Sequence, residues 1–389
     1  MKRSPFIAAS AALALLAAVA AFPAAAQSFA PPTALLANSY YSFTSVALAD
    51  VNGDGILDFI AIYPGSPASF TGGPGGVKIV LGSAAGGFTD SPNYLFWPYS
   101  NTSTGPVSLT LGDINADGRL DVITPMSSGI VLTQSSSYGT PVYGTNLIVF
   151  FGGSAGPSGY PGQYPVGYDP TAALVADFNQ DGIPDVAVTN ASGILSVYLG
   201  VGGGLYQGAT VYHVGGNPKA IRGGDFNHDG KPDLATVNTS DGTLSILLNN
   251  GDGTFQKAKR FLVGANLRDA ALADLNGDGR TDIVTLRYGE IDTFLSNGDG
   301  TFSLSKTYPA SSTATALLLA DFSGSGKLDV LTNDAVLLRG IGKAAGNTAL
   351  NTYSGNLAVG DVNGDGKLDF VIGSQLYLNA GLASSATFP

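Results

Sequence analysis

The sequence contains no cysteine among its 389 residues, so disulfide frameworks, thiol catalysis and cysteine zinc sites are excluded. It has only two histidines, His213 and His228, which argues against a histidine-rich metal site or a proton relay. Glutamate is almost absent, since Glu290 is the single one, whereas aspartate is abundant. Solvated helix faces usually mix Glu with Lys, so this bias argues against a helical protein and indicates aspartates chosen for local geometry.

Positive charge is scarce as well. The formal net charge is −11 and no clustered basic segment is present, so the composition argues against a nucleic-acid partner. With 44% hydrophobic and 12% charged residues, the chain can bury a large core. Its 54 glycines, with β-branched and aromatic runs between them, predict many short strands joined by tight turns.

The N-terminus has the form of a secretory signal peptide. Lys2 and Arg3 precede an apolar run over residues 6–22, and the small residues at 24–26 predict cleavage before Gln27. A membrane anchor is the alternative, although the run is marginal for a bilayer span. We expect residues 1–26 to be removed and residues 27–389 to be exported, with no membrane span after cleavage. The mature protein is then secreted, at the cell surface or in the periplasm.

One nonapeptide recurs seven times, and such a repeat decides how the fold is interpreted. Six copies have the form D-x-N-x-D-G-x-x-D, and the copy at 321–329 reads DFSGSGKLD. The copies begin at Asp50, Asp113, Asp177, Asp225, Asp274, Asp321 and Asp361. Below, each loop is named after its first residue, and its nine positions are numbered from that residue.

The segments around each nonapeptide predict four strands per repeat. An apolar run precedes the nonapeptide, a second follows it directly, and a third leads to a Gly-rich turn that closes on an aromatic residue such as Phe255 or Phe302. The sequence thus predicts an all-β, seven-bladed β-propeller of four-stranded antiparallel blades. The segment around Phe29 matches an isolated fourth strand, so we expect the N-terminal strand to close the ring with the C-terminal strands. An open array of independent calcium modules is the alternative.

The nonapeptide has the donor pattern of a calcium loop. Positions 1, 3 and 5 place oxygen-bearing side chains on one side of a curled backbone, glycine at position 6 allows a positive φ, and position 9 returns a carboxylate. Oxygen donors without nitrogen or sulfur favour Ca²⁺, with Mg²⁺ second. An EF-hand is excluded because it needs helices and a Glu at position 12. A role in turn formation alone would explain the glycines but not the repeated carboxylates.

The predicted Ca²⁺ ligands occupy positions 1, 3, 5 and 9 of the six full copies. They are Asp50, Asn52, Asp54, Asp58, Asp113, Asn115, Asp117, Asp121, Asp177, Asn179, Asp181, Asp185, Asp225, Asn227, Asp229, Asp233, Asp274, Asn276, Asp278, Asp282, Asp361, Asn363, Asp365 and Asp369. The seventh copy offers a weaker set, Asp321, Ser323, Ser325 and Asp329, for which a turn without metal is at least as good an interpretation.

These hairpins resemble the FG-GAP/VCBS repeat family, which includes the propeller of integrin α-subunits and many exported bacterial proteins. The later turns N-N-G-D-G-T-F at 249–255 and N-G-D-G-T-F at 297–302 support the resemblance. It implies a calcium-bound propeller over nearly the whole mature chain. It implies no single activity, because the family serves adhesion, glycan binding and scaffolding, and sometimes accompanies catalytic domains.

The sequence gives little support for an enzyme. Residues 152–156 match G-x-S-x-G, but the following segment is rich in Pro and Gly and cannot form the helix that a nucleophile elbow needs. The equivalent site in other repeats is a hairpin turn, and neither histidine has an evident partner. We therefore expect no enzymatic activity.

Four long insertions, at 63–76, 97–106, 127–146 and 160–170, fall on connections opposite the nonapeptides. They carry aromatic residues among Ser, Asn, Gly and Pro, a composition that suits sugar rings or a protein surface. The candidate ligand-binding residues are Tyr63, Trp97, Tyr99, Tyr138 and Tyr143. A lid that packs on itself is the alternative. The sequence thus predicts a non-enzymatic adhesion module that binds a glycan or an extracellular protein surface, or else a scaffold subunit of an exported complex.

Overall fold

A computed structural model describes residues 27–29, 33–34, 43–63, 76–83, 88–89, 94–96, 106–126, 129–131, 142–144, 146–153, 162–334, 336–338, 347–349 and 356–382. All regular secondary structure in these ranges is β-strand. They contain no helix that is long and apolar enough to cross a membrane. The all-β prediction is confirmed.

The strands of the N-terminal half are short. They are β1 (Gln27–Phe29), β2 (Thr33–Ala34), β3 (Ser45–Ala49), β4 (Asp58–Tyr63), β5 (Gly76–Gly82), β6 (Phe88–Thr89), β7 (Tyr94–Phe96), β8 (Thr110–Gly112), β9 (Asp121–Pro125), β10 (Gly129–Val131), β11 (Val142–Gly144), β12 (Asn146–Phe150), β13 (Gly162–Pro165), β14 (Pro170–Ala176), β15 (Asp185–Asn190), β16 (Ile194–Tyr198), β17 (Gly200–Gly202) and β18 (Leu205–Tyr206).

The C-terminal half continues the pattern. Its strands are β19 (Thr210–His213), β20 (Pro218–Gly224), β21 (Asp233–Asn238), β22 (Thr243–Leu247), β23 (Lys259–Leu262), β24 (Leu267–Ala273), β25 (Asp282–Arg287), β26 (Glu290–Ser296), β27 (Phe302–Pro309), β28 (Leu317–Ala320), β29 (Asp329–Thr332), β30 (Val336–Leu338), β31 (Asn347–Ala349), β32 (Leu357–Gly360), β33 (Asp369–Ile372), β34 (Gln375–Tyr377) and β35 (Asn379–Leu382).

The large sheets are antiparallel and follow the repeat. Six have four strands, in the orders β8-β9-β12-β13, β14-β15-β16-β19, β20-β21-β22-β23, β24-β25-β26-β27, β28-β29-β30-β31 and β32-β33-β34-β2. A further sheet, β3-β4-β5-β6 with β7, has five strands. The prediction of seven four-stranded blades is wrong: only six sheets in the described ranges have four strands, and in the five-stranded sheet β6 and β7 both pair with β5, at its two ends.

Burial within each sheet explains the composition of its strands. The second strand is buried along all or nearly all of its length, as in β4 (DFIAIY) and β15 (DVAVTN). The fourth strands β19, β23 and β27 are largely exposed. A strand that is covered on both faces needs a continuous apolar run, whereas an outer edge tolerates polar residues.

The core lies between neighbouring sheets. One cluster joins Ile60 and Ile79 of the β3–β7 sheet to Val122 and Phe150 of the next sheet, and the same arrangement recurs along the chain. Another joins the β3–β7 sheet to the β32–β34 sheet at the other end of the sequence. Sheets that pack face to face around a common axis form a β-propeller.

The inner strands are also tied to one another by side chains. The Thr110 hydroxyl donates to the carbonyl of Ala173 at 2.7 Å, and the Arg222 guanidinium pairs with the Asp269 carboxylate at 3.0 Å. Near the two ends of the sequence, Asn356 Nδ2 donates to the carbonyl of Phe43 at 3.1 Å. At the outer edge, β2 pairs with β34 and β1 with β35.

Candidate metal-binding loops

Each nonapeptide connects the first and second strands of its sheet. In the Asp50 loop, position 1 directly follows β3, and position 9, Asp58, is the first residue of β4. Since the first strands run in the same sense around a propeller, all these loops emerge on one face, here called the loop face.

The loop backbone is left-handed at two positions. Position 6 is always glycine, with φ of +86° at Gly55, as the sequence predicts. Position 4 is left-handed too, with φ of +79° at Gly53 and +60° at Ala116, Gln180 and His228. Position 4 varies in sequence, but the glycine found there in four of the seven copies is the signal that indicates a left-handed backbone.

The carboxylate at position 1 organises the turn. Asp50 Oδ1 accepts the N–H groups of Gly53 at 2.6 Å and Asp54 at 3.1 Å, and Oδ2 accepts that of Gly55 at 2.8 Å. The N–H of Gly118 likewise donates to Asp113 at 2.7 Å. The carboxylate at position 1 thus stabilises the turn by accepting the N–H groups of its backbone.

Positions 3 and 5 interact with each other. Asn52 Oδ1 accepts the N–H of Asp54 at 2.9 Å, and Asn52 Nδ2 donates to Asp54 Oδ2 at 3.0 Å. The other Asp54 oxygen accepts the N–H of Ile56 at 2.8 Å. Asp54 is exposed, although both of its carboxylate oxygens accept hydrogen bonds within the loop.

Position 9 is buried and holds the loop to the sheet. Asp58 is 0% exposed; its Oδ2 accepts the N–H of Val51 at 3.0 Å and its Oδ1 that of Gly82 at 2.9 Å. All six full copies repeat this pair of bonds, with Asp121, Asp185, Asp233, Asp282 and Asp369 in the same role. The nonapeptide alone does not predict this contact, because the second donor lies at or just beyond the end of the third strand, outside the nine residues.

The electrostatics of position 9 are unfavourable without a cation. Burial raises the pKa of Asp121 to about 6, against hydrogen bonds that lower it, and the charges of Asp117 and Asp113 raise it further. Burial also raises the pKa of Asp185 and of Asp233 to about 6. The carboxylates of positions 1, 5 and 9 are therefore close enough to repel one another.

The residues fit an oxygen-preferring cation by their chemistry. Three carboxylates and one amide in a full loop offer only oxygen ligands, the set that Ca²⁺ prefers. In the described ranges no three acidic or histidine side chains already have the arrangement of a metal site. The side chains at positions 1, 3 and 5 instead accept N–H groups of their own loop, so they would have to reorient to bind an ion.

The Asp321 loop forms the same turn with fewer carboxylates. Asp321 accepts the N–H groups of Ser325 at 3.0 Å and Gly326 at 2.5 Å. The Ser323 hydroxyl lies 3.0 Å from Asp321 Oδ1 and 2.9 Å from the Ser325 hydroxyl, and its single proton is donated to one of these two oxygens at a time. The turn is therefore satisfied without an Asn at position 3 or an Asp at position 5.

The G-x-S-x-G match at 152–156 begins with a structural glycine. Gly152 donates its N–H to the buried Asp121 at 2.7 Å, so this residue supports a loop. Ser154 lies outside the described residues.

The structure describes few of the predicted aromatic ligand-binding residues. Trp97, Tyr99 and Tyr138 lie outside the described residues, and Tyr143 is placed only as part of β11, paired with Ile130. The assignment of Tyr63 to an exposed surface is wrong: it ends β4 and is 2% exposed. A strand with six buried residues keeps its last aromatic side chain in the core.

Two other tyrosines are exposed on the side opposite the loop face. Tyr168, between β13 and β14, is 81% exposed. Tyr288, in the hairpin between β25 and β26, is 58% exposed, and the Arg268 guanidinium lies 5.2 Å from the centre of its ring. The sequence analysis did not select Tyr288, because the hairpin that carries it is short.

Models of one repeat family match the chain in several segments. The FG-GAP-like repeat matches residues 66–124, 177–236, 225–285 and 274–332. The FG-GAP repeat matches residues 42–80 and 355–384. These segments together cover more than half of the chain. No curated protein matches the chain in sequence.

The chain is similar to several solved structures at low sequence identity. The chain is similar to an Agrocybe aegerita lectin described as recognising non-reducing terminal N-acetylglucosamine, with 19% identity, a TM-score of 0.54 and coverage of 81% of this chain and 82% of the lectin. It is also similar to a functionally unknown protein from Desulfotomaculum acetoxidans, with 12% identity, a TM-score of 0.49 and coverage of 81% and 87%. A third is the periplasmic gluconolactonase PpgL of Pseudomonas aeruginosa, with 15% identity, a TM-score of 0.47 and coverage of 67% and 69%.

The repeated nonapeptides, the antiparallel sheets that they begin and the family matches agree with one another. The chain belongs to the FG-GAP repeat family and folds as a β-propeller.

Proposed function

We propose that the protein is an exported, calcium-binding, non-enzymatic β-propeller that binds a glycan or an extracellular protein with the side opposite its loop face. The observation that carries the calcium part is the repeated crowding of three carboxylates around a buried position 9, as at Asp113, Asp117 and Asp121. Calcium held by positions 1, 3, 5 and 9 would neutralise these charges. It would also cross-link the two strands that each loop joins.

The ring is proposed to be closed by the N-terminal segment. The pairing of Thr33 with Leu376 supports closure, as does the core cluster shared by Val46 and Val371. Deleting residues 27–42 should then leave an unpaired edge at β34 and make the protein aggregate, which size-exclusion chromatography would detect.

Export is proposed from the N-terminal sequence. The charged residues Lys2 and Arg3, the apolar run and the small residues at 24–26 support cleavage before Gln27. Mass spectrometry of the protein purified from its native compartment should give a mature N-terminus at Gln27. An intact N-terminus in a membrane fraction would contradict export as a cleaved protein.

The ligand class is proposed from the exposed aromatic residues and the fold. Tyr168 is the most exposed of the large apolar side chains that the structure describes, and exposed tyrosines commonly stack on sugar rings or anchor protein interfaces. The same fold serves recognition of terminal N-acetylglucosamine in the Agrocybe lectin, which makes glycans the first class to test.

A glycan array probed with calcium-loaded protein tests this proposal. We expect selective binding that Tyr168→Ala weakens by roughly tenfold or more, as for an interface anchor. Leu262→Ala is the matched control, because Leu262 is an exposed apolar residue of the outer strand β23. No binding to any glycan would remove the glycan part of the proposal, and capture of a defined extracellular protein that Tyr168→Ala weakens would then support the protein-binding part.

A further inference from the structure

One residue at the end of the third strand, or two positions beyond that end, supports the loop of the same sheet. Its backbone N–H donates to the buried carboxylate at position 9 in all six full copies. We call this residue the staple position; it is Gly82, Gly152, Gly200, Asn249, Ser296 or Asn379.

In three sheets the staple position carries a side chain that reaches the preceding loop. Asn249 Nδ2 donates to the carbonyl of Phe178 at 2.8 Å, and Ser296 Oγ donates to that of Phe226 at 2.9 Å. Asn379 Nδ2 donates to the carbonyl of Phe322 at 3.0 Å. Each acceptor is position 2 of the loop one repeat earlier.

In the other three sheets the staple position is glycine and has no room for a side chain. A Cβ at Gly152 would come within 2.6 Å of the carbonyl oxygen of Leu120. Equivalent clashes arise at Gly82 with Leu57 and at Gly200 with Pro184. The Asp177, Asp225 and Asp274 loops are thus joined in series, whereas no staple side chain joins the Asp50 and Asp113 loops to their neighbours.

The joined peptide is the one that carries a candidate ligand. The carbonyl of Phe178 belongs to the peptide that leads into Asn179, at position 3, and the N–H of Phe178 is held by Asp185, at position 9, at 2.7 Å. Asn249 therefore fixes the Asp177 loop through its side chain and the Asp225 loop through its N–H, which donates to Asp233 at 2.7 Å. Asn249 is 2% exposed, so water does not replace these bonds.

Two further contacts join the same loops. The Phe178 ring packs edge-on against Phe255 of the next repeat, with 5.4 Å between centroids. On the exposed side, Gln180 Nε2 donates to the carbonyl of Gly230, at position 6 of the next loop, at 2.9 Å. Several contacts therefore connect the Asp177 repeat to the next one.

We propose that Asn249 and Ser296 are positioning residues that couple calcium binding among the Asp177, Asp225 and Asp274 loops, while the Asp50 and Asp113 loops bind independently. This inference rests on the proposed calcium binding. When the ligands of one loop reorient around an ion, they shift a peptide that is also hydrogen-bonded to the neighbouring repeat. Binding of the first ion therefore raises the calcium affinity of the next loop.

Calorimetric titration of chelated mature protein with Ca²⁺ tests the coupling. We expect cooperative binding at three sites in the wild-type protein. Asn249→Ala should remove most of this cooperativity and weaken binding at the coupled sites roughly fivefold or more. Asn249→Ser should restore it, because serine makes the equivalent bond at Ser296. Asn379→Ala is the matched control, because the Asn379 side chain bonds to the Asp321 loop, which is not one of the three coupled loops.

Thermal melts separate positioning from a purely structural role. A positioning role predicts that Asn249→Ala shrinks the increase in Tm caused by calcium, whereas a structural role lowers both melts equally and would overturn the inference. Ser296→Ala provides the same test if Asn249→Ala does not fold. A calcium titration that is unchanged in both Asn249→Ala and Ser296→Ala would overturn the coupling but not the proposed calcium binding. Absence of any calcium binding to the wild-type protein would overturn the proposed calcium role and the coupling together.

Discussion

The Asp321 loop and the six full loops have the same turn but different side chains. In both, the carboxylate at position 1 caps the backbone, and positions 4 and 6 are left-handed, with φ of +68° at Gly324 and +76° at Gly326. The Asp321 loop does this with serines at positions 3 and 5. The extra amide and carboxylate of the full loops are therefore not needed to form the turn, and the calcium ion that we propose would account for their repetition.

Chelation should produce the largest difference between the two kinds of loop. Ligands that bind only the folded state stabilise it by mass action, by ~2.7 kcal/mol per site at a hundredfold excess over Kd. With six full loops, the melting temperature in calcium should exceed that in EDTA by many degrees. Superimposable melts in calcium and in EDTA would contradict the proposal that the full loops bind calcium.

The pH dependence of stability should reverse with calcium. The pKa of Asp121, Asp185 and Asp233 is raised from 3.8 to about 6, mainly by burial, so the folded state holds these protons more tightly than the unfolded state. Without calcium, stability should therefore fall as the pH rises from about 4 to about 6. Calcium requires the ionised form, so stability in calcium should rise over the same window. Urea titrations at several pH values check both slopes, and equal slopes with and without calcium would contradict the account.

The Asp321 loop should become a full site after two substitutions. Ser323→Asn with Ser325→Asp restores the donor set of the other copies. In saturating calcium the free energy of unfolding should increase by roughly 1–3 kcal/mol, and in EDTA it should stay level or fall because of the added charge repulsion. Single Ser323→Asn protein is the control, since it adds an amide but no carboxylate. A gain that is equal in EDTA would indicate improved turn formation instead.

The smallest expected effect concerns position 4. Ala116 has a φ of +60°, which strains an L-residue, so Ala116→Gly should stabilise the protein by up to ~1 kcal/mol. Gly53→Ala should destabilise it by a similar amount, because Gly53 has a φ of +79°. Paired melts in calcium and in EDTA measure this. Both melting temperatures should shift together, so that the increase caused by calcium stays the same.

Local patterns predict the turns well, because each nonapeptide contains the groups that shape it. The left-handed Gly55 and the strand that begins at Asp58 follow from nine adjacent residues. The second bond of Asp58 does not, since Gly82 lies 24 residues away and the intervening length varies between repeats. Contacts between repeats, such as Asn249 with Phe178, are 71 residues apart and need the propeller geometry to be recognised.

The boundary between strand and loop was the other difficulty. Tyr63 stands next to an insertion and matches the composition of an exposed loop, yet it completes a strand that is buried on both faces. The outer strand of the same sheet consists of two short segments, β6 and β7, which a pattern of four equal strands does not anticipate.

The number of calcium ions bound per chain tests the central claim most directly. Native mass spectrometry of chelated protein returned to calcium should show six ions on the wild-type chain, because the full donor set occurs six times and the Asp321 loop lacks a carboxylate at position 5. Binding of no ions, or of a seventh as tightly as the other six, would contradict the account.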